Sequence, residues 1–232
     1  MNDLADLVRA RKECRLCMSR DPHKIRSGAD YDFDPDVVSY WSQWLGHPQP
    51  EILIVAQDFG DTGYFERFRG RDQTNNATNN NLRKLLGYAG VEVAEPPAVD
   101  PNARVFLTNS VLCLKQPPMN APISSRWVRA CATNHLKPLI RRLKPSIVVG
   151  MGSHGWAAVR LALELHDTPG KISLAAGQSW CAGDGCRVFA VGHCGPLGLA
   201  NRAWELQVED WKKVGAELAH LHAVFETPSS NA

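Results

Sequence analysis

Three polar side chains stand just past apolar runs of strand type. Asp58 follows EILIVA (51–56), Asn109 closes VFLTN (105–109), and His193 follows RVFAVG (187–192). In open α/β sheets, ligands bind beyond the carboxyl ends of the strands. A carboxylate, an amide and an imidazole gathered there could stabilise a cationic centre, read a planar ligand and donate a hydrogen bond. Each alone is more often a cap, a turn former or a satisfied core histidine. Thiols form a second group: Cys14 and Cys17 in CxxC spacing, Cys113 four residues after Asn109, and Cys131. Four soft thiolates could hold an iron–sulphur cluster. Cys181 and Cys186, flanking the hairpin-turn sequence AGDG, could instead join Cys14 and Cys17 around zinc. Buried free thiols remain a third reading, and spacing alone does not choose.

The elements that must position these groups are legible in outline. The runs at 51–56, 104–109, 145–149 and 187–192 predict strands. Helical patterns at 2–13, 80–90, about 124–143, 154–166 and 201–222 lie between and after them. Ser124 or Ser125 is a helix cap, and Pro138 predicts a kink. Residues 20–50 read as loop, with Trp41 and Trp44 packing down, and 62–81 as a long polar loop. The alternation predicts a three-layer α/β/α fold around a central, mostly parallel four-stranded sheet. One domain is expected over 1–225, with a frayed tail at 226–232. GMGSHG at 150–155 matches GxGxxG, yet it follows the third strand and lacks a well-placed acidic partner. A tight strand–helix turn explains it better than a dinucleotide site.

Composition narrows the classes. The chain has 232 residues and a net charge of +2. Between Pro101 and Leu163 there are nine basic residues and no Asp or Glu. Such a region suits a phosphate-facing surface, or a plain solvated one. No run is long enough to span a bilayer, and the first residues lack an apolar signal core. An intracellular, reducing location is the expectation, so the cysteines suggest metal or free thiols rather than disulfides.

The motifs together resemble the uracil-DNA glycosylase superfamily, over about 14–202. AQDFG (56–60) resembles a blend of that superfamily's GQDPY and GEAPG forms. TNSVLC (108–113) resembles the TNxVKC of its iron–sulphur (family 4/5-like) branch. Cys131 and LKPSIVVGMG (143–152) fit the helix and strand that follow. His193-Cys194-Gly195 stands where the family has HPS. There are departures: Ala56 for Gly, Phe59 for Pro, Cys194-Gly195 for Pro-Ser. The family's segment with a uracil-stacking Phe is not in its usual place; Phe59, Phe65 and Phe68 are the nearest aromatics, and Asn75 is closer to the aligned position.

The resemblance implies a divergent, monofunctional uracil-DNA glycosylase that flips uracil from DNA and hydrolyses its N-glycosidic bond. Asp58 would stabilise the oxocarbenium-like sugar and orient water, and a neutral His193 would hydrogen-bond uracil O2. Gln57, Phe59, Phe68 and Asn109 would complete the uracil site, with Asn109 reading N3–H and O4. Lys115, Arg126, Arg129 and Arg202 would contact phosphates. Leu197 and Leu199 would wedge the base stack. Cys14, Cys17, Cys113 and Cys131 would hold a structural 4Fe–4S cluster. A monomer acting on DNA in the cytoplasm is expected, with no membrane partner. The alternatives are a non-catalytic binder of abasic or uracil DNA and a zinc-stabilised nucleic-acid-binding module.

Overall fold

Residues 4–33, 49–73, 75–94, 104–183 and 185–226 are described by the computed structural model. In chain order they form α1 (Leu4–Glu13), β1 (Ile25–Arg26), β2 (Ile52–Ala56), α2 (Thr62–Phe68), α3 (Ala77–Tyr88), β3 (Val105–Asn109) and β4 (Leu114–Lys115). There follow α4 (Ser125–Cys131), α5 (Lys137–Leu143), β5 (Ile147–Met151), α6 (Gly152–Ala162), α7 (Ile172–Ala175), β6 (Ser179–Cys181), β7 (Arg187–Val191), α8 (Pro196–Asn201) and α9 (Trp204–Glu226). Trp41, Trp44 and the tail beyond Glu226 lie outside the described residues.

The main sheet runs β3-β2-β5-β7-β6. Its first four strands are parallel, and β6 is antiparallel to β7. The sheet therefore has five strands where four are expected. The added strand is three residues long and largely exposed, so it carries no apolar run to announce it. Side chains alternate between two cores. Leu53, Val55, Phe106, Val148 and Val188 face a layer containing α1, α4, α5 and α6. Ile52, Ile54, Leu107, Val149 and Val191 face a layer containing α3 and α9. Both faces are covered, which is why these strands read as continuous apolar runs.

Local chemistry sets the helix bounds. The stretch expected as a long polar loop at 62–81 holds α2 and the start of α3. Asp61 caps α2, its side chain accepting from Tyr64 N at 2.7 Å. Asn76 caps α3, accepting from Thr78 N and Asn79 N. The Asn-rich run is thus a capped helix start, where a short side chain competes well for orphan N–H groups. Between α4 and α5 the chain makes a π-helical turn, Ala132–Leu136, with Lys137 N bonded to Ala132 O. It lies just before Pro138, which has no N–H to continue the ordinary ladder. The glycines of GMGSHG serve packing: a Cβ on Gly155 would lie 2.1 Å from Val55 O, so α6 rests directly on β2. Gly152 has φ +72°, the turn that starts the helix. Among the described residues no helix is long and apolar enough to cross a membrane.

Candidate active site

A cavity of about 1050 Å³ opens at the carboxyl end of the parallel strands. Its wall includes Gln57, Asp58, Lys115, His154 and His193. Asp58 comes from the turn after β2. Lys115 comes from β4, which pairs with β1 and forms an isolated bridge to Asp61. Held on both sides, Lys115 places Nζ 2.8 Å from Asp58 Oδ2. The two side chains are only 3% and 6% exposed, so each charge is compensated by its partner and little by water. Lys115 was expected to contact phosphate. A buried, ion-paired ammonium belongs to the cavity wall instead.

The carboxylate has a second anchor. Gln57 Nε2 donates to Asp58 Oδ1 at 3.0 Å. That orientation turns Gln57 Oε1 toward His154 Nδ1, 2.9 Å away. An amide oxygen only accepts, so His154 carries its proton on Nδ1. Lys115, Asp58, Gln57 and His154 thus form one polar chain along the wall. His154 was not expected in the site; its signal was present in the Ser-His of GMGSHG, immediately beyond a strand end.

His193 follows β7, on the far side of β5 from β2. Gly195 N donates to His193 Nδ1 at 3.0 Å. The other nitrogen, Nε2, then carries the proton of a neutral ring. Burial holds the His193 pKa below its ordinary value; Asp58 works the other way, and His154 adds to the lowering. Burial similarly lowers His154. The loop is fixed from three sides. Asn81 Nδ2 donates to Cys194 O at 2.9 Å, and Gln207 Nε2 donates to His193 O at 3.1 Å. A Cβ on Gly198 would stand 1.8 Å from His193 O, so α8 lies against the loop. Cys194 is buried, with Sγ 3.3 Å from Thr78 O.

The aromatic wall differs from expectation. Phe59 and Tyr64 line the cavity, their centroids 5.4 Å apart. Phe68 packs on Tyr64 at 4.8 Å and does not line it. Tyr64 is pinned through its hydroxyl by Asp72 and Asn76. Asn109 is 3% exposed and pairs in register with Ala56, and it too does not line the cavity. At the rim, Leu197 on α8 is 77% exposed and Met119 43% exposed. Leu199 is half-buried and does not line the cavity. Arg202, expected on phosphate, forms a bidentate pair with the buried Asp210 at 2.6 and 2.7 Å. Arg126 and Arg129 are exposed on α4, away from the cavity wall. A separate cavity of about 610 Å³, lined by Arg104, Arg142, Lys144 and His222, opens at the amino end of the sheet and contains none of these groups.

The fold brings Cys14, Cys17, Cys113 and Cys131 into one electrostatic neighbourhood. Burial raises Cys17 to about 11, and Cys14 adds to this. Burial pushes Cys131 to about 12, with Cys17 and Cys14 contributing. Cys113 is raised well above its ordinary value by burial, then by Cys131, Cys17 and Cys14, while the buried Arg11 opposes them. Cys181 lies elsewhere, 3.0 Å from Arg187 Nη1. Among the described residues no group of three or more His, Cys, Asp or Glu side chains that could hold a metal ion is found, in either cysteine set.

A doubly wound sheet thus sets an anchored carboxylate and an imidazole with an acceptor Nδ1 on one cleft, an arrangement that can stabilise opposite charges on the two halves of a breaking bond. The sequence profile of the Uracil DNA glycosylase superfamily matches residues 44–216, and the chain belongs to that superfamily. Its members' chemistry is glycosylase action on DNA. No curated protein matches the chain closely enough to count as a relative.

Proposed function

We propose that the protein releases uracil from DNA by hydrolysing the N-glycosidic bond. The observation that carries this reading is the pairing of Asp58 with a His193 whose protonated nitrogen is set by Gly195 N, both on one cavity wall. A base buried in a duplex must be flipped to reach such a cavity. As the bond stretches, the sugar gains positive charge and the base negative charge. Asp58 faces the sugar and orients water. His193 Nε2–H meets the growing charge on uracil O2, where a preorganised donor acts without reorganisation. Phe59 and Tyr64 supply a surface for the flat ring.

Asn109 is the proposed reader of uracil N3–H and O4, reached when wall side chains turn aside. Cytosine presents the reverse pattern and would leave the buried amide mispaired. Leu197, joined by Met119, is the proposed wedge at the mouth. Arg126 and Arg129 are the proposed phosphate contacts. The four grouped cysteines fit a 4Fe–4S cluster through their soft donors and shared neighbourhood, and Arg11 would offset its negative charge. Such a cluster would act structurally, tying α1 to the segment after Asn109 and to α4. The protein is proposed to work as an intracellular monomer on uracil-containing DNA.

The test is base release from single- and double-stranded oligonucleotides carrying uracil, hypoxanthine, xanthine or a mismatched thymine. Release of uracil that falls sharply in Asp58→Asn and His193→Ala supports the reading. Tight binding of uracil or abasic DNA with no release would select a lesion-binding role instead.

A further inference from the structure

Lys115 is the group in this cavity that base release does not require. A carboxylate placed to stabilise C1′ of the sugar must lie close to C1′. Lys115 Nζ is 2.8 Å from that carboxylate and lines the same cavity. It therefore lies in the surroundings that such a carbon would enter, where reaction requires approach to the ~3–3.5 Å of a near-attack arrangement. The product of base release is a cyclic hemiacetal in equilibrium with an open-chain aldehyde at C1′. An amine shielded from water beside an aldehyde is the arrangement from which lysine forms imines.

We propose that Lys115 is a nucleophile toward the C1′ aldehyde, giving the protein a second activity: cleavage of the DNA strand at abasic sites by β-elimination. The proposal rests on the reading of this cavity as a glycosylase site, and it replaces the expectation of a monofunctional enzyme. The ammonium first passes a proton to Asp58 Oδ2. The freed nitrogen lone pair forms the C1′–N bond, while the carbonyl π electrons move to oxygen. A proton shifts from nitrogen to that oxygen, giving a carbinolamine. Asp58 returns its proton to the hydroxyl, which leaves as water, and an iminium ion remains. The iminium acidifies C2′–H, and Asp58, again a carboxylate, takes that proton. The C–H electrons form the C2′–C3′ double bond as the C3′–O bond breaks, and the 3′ phosphate departs with its electron pair. Water hydrolyses the iminium ion, restoring the Lys115 ammonium and leaving an unsaturated aldehyde, and Asp58 passes the C2′ proton to the departed phosphate, which restores the carboxylate. No oxidant or reductant enters the sequence.

The experiment uses the full chain and an oligonucleotide carrying one preformed abasic site, single- and double-stranded, with and without sodium borohydride. Expected are a nicked strand without borohydride and a covalent protein–DNA adduct with it, mapped by mass spectrometry to the peptide containing Lys115. Lys115→Arg keeps a cation beside Asp58 but offers no usable lone pair; it should lose adduct and nick by at least about tenfold, because guanidinium does not deprotonate. Absence of an adduct with the unmodified protein, mapping to another amine, or an undiminished adduct in Lys115→Arg would overturn the proposal. The mapping decides even if the variant folds poorly. Since the abasic site is preformed, the outcome is independent of base release: an adduct without uracil excision sinks the glycosylase reading, and excision without an adduct sinks the lyase alone.

Discussion

In the proposed reaction, replacing His193 by Ala removes one hydrogen-bond donor at the place where charge would develop on the base. The donor is well prepared: Gly195 N at 3.0 Å fixes the tautomer, and the backbone carbonyl is held by Gln207. Loss of one such donor typically raises the barrier by about 3–4 kcal/mol, or ~10²–10³-fold in rate. The expected result is that decrease in the single-turnover rate of uracil release, with little change in DNA affinity. The same geometry predicts the pH response. Burial disfavours the imidazolium, so the folded pKa lies below 6.5. Protonation on Nδ1 would also set an N–H against Gly195 N–H. The contribution of His193 to the rate should therefore hold as pH falls to about 6.5 and decline only below it. A loss under tenfold in His193→Ala, or a His193-dependent rate that climbs as pH drops below 6.5, would refute the role assigned to the neutral ring.

Other consequences concern stability and DNA contact. Gly155→Ala would force a Cβ within 2.1 Å of Val55 O, and it should cost about 1–3 kcal/mol or more by urea unfolding, with α6 lifted from β2. Arg202→Ala strands the carboxylate of Asp210, which is 1% exposed, and should cost about 3–5 kcal/mol. By contrast, Arg126→Ala and Arg129→Ala should leave the unfolding midpoint unchanged and reduce the salt dependence of DNA binding by about one counterion each. His135 is buried with its pKa lowered to about 4. Its stabilising contribution is present above about 6.5 and is lost as pH falls toward 4, because the unfolded chain takes the proton first. The loss is roughly 3 kcal/mol at full protonation, and His135→Gln should flatten that part of the acid unfolding profile.

Much of the framework was written in local pattern. The four parallel strands announce themselves because both faces are buried, and Asp58 and His193 are found because each ends such a run. The strand-end rule also found Asn109, but a position along the chain does not say whether a side chain stands on a wall or behind it. The grouping of Cys14 and Cys17 with Cys113 and Cys131, one of several sets open to the sequence, depends on α1 and α4 sharing one face of the sheet. The π-turn beside Pro138 follows a local rule, while the helix hidden in the Asn-rich run shows how a polar stretch can cap an element rather than interrupt it.

Sequence by itself determined the fold class, the candidate catalytic pair at the strand ends and the candidate thiolates, since these follow from hydrophobic period and residue chemistry. Only the tertiary structure decided which cations are free and which are committed. Lys115 and Arg202 read as surface charges until the chain folds, when each meets a carboxylate distant or modestly separated in sequence, at Asp58 and Asp210. The reason is physical: a charge's role is set by its partner and its access to water, and both are properties of packing. The same packing takes Lys115 from an expected phosphate contact to the cavity wall, paired with Asp58.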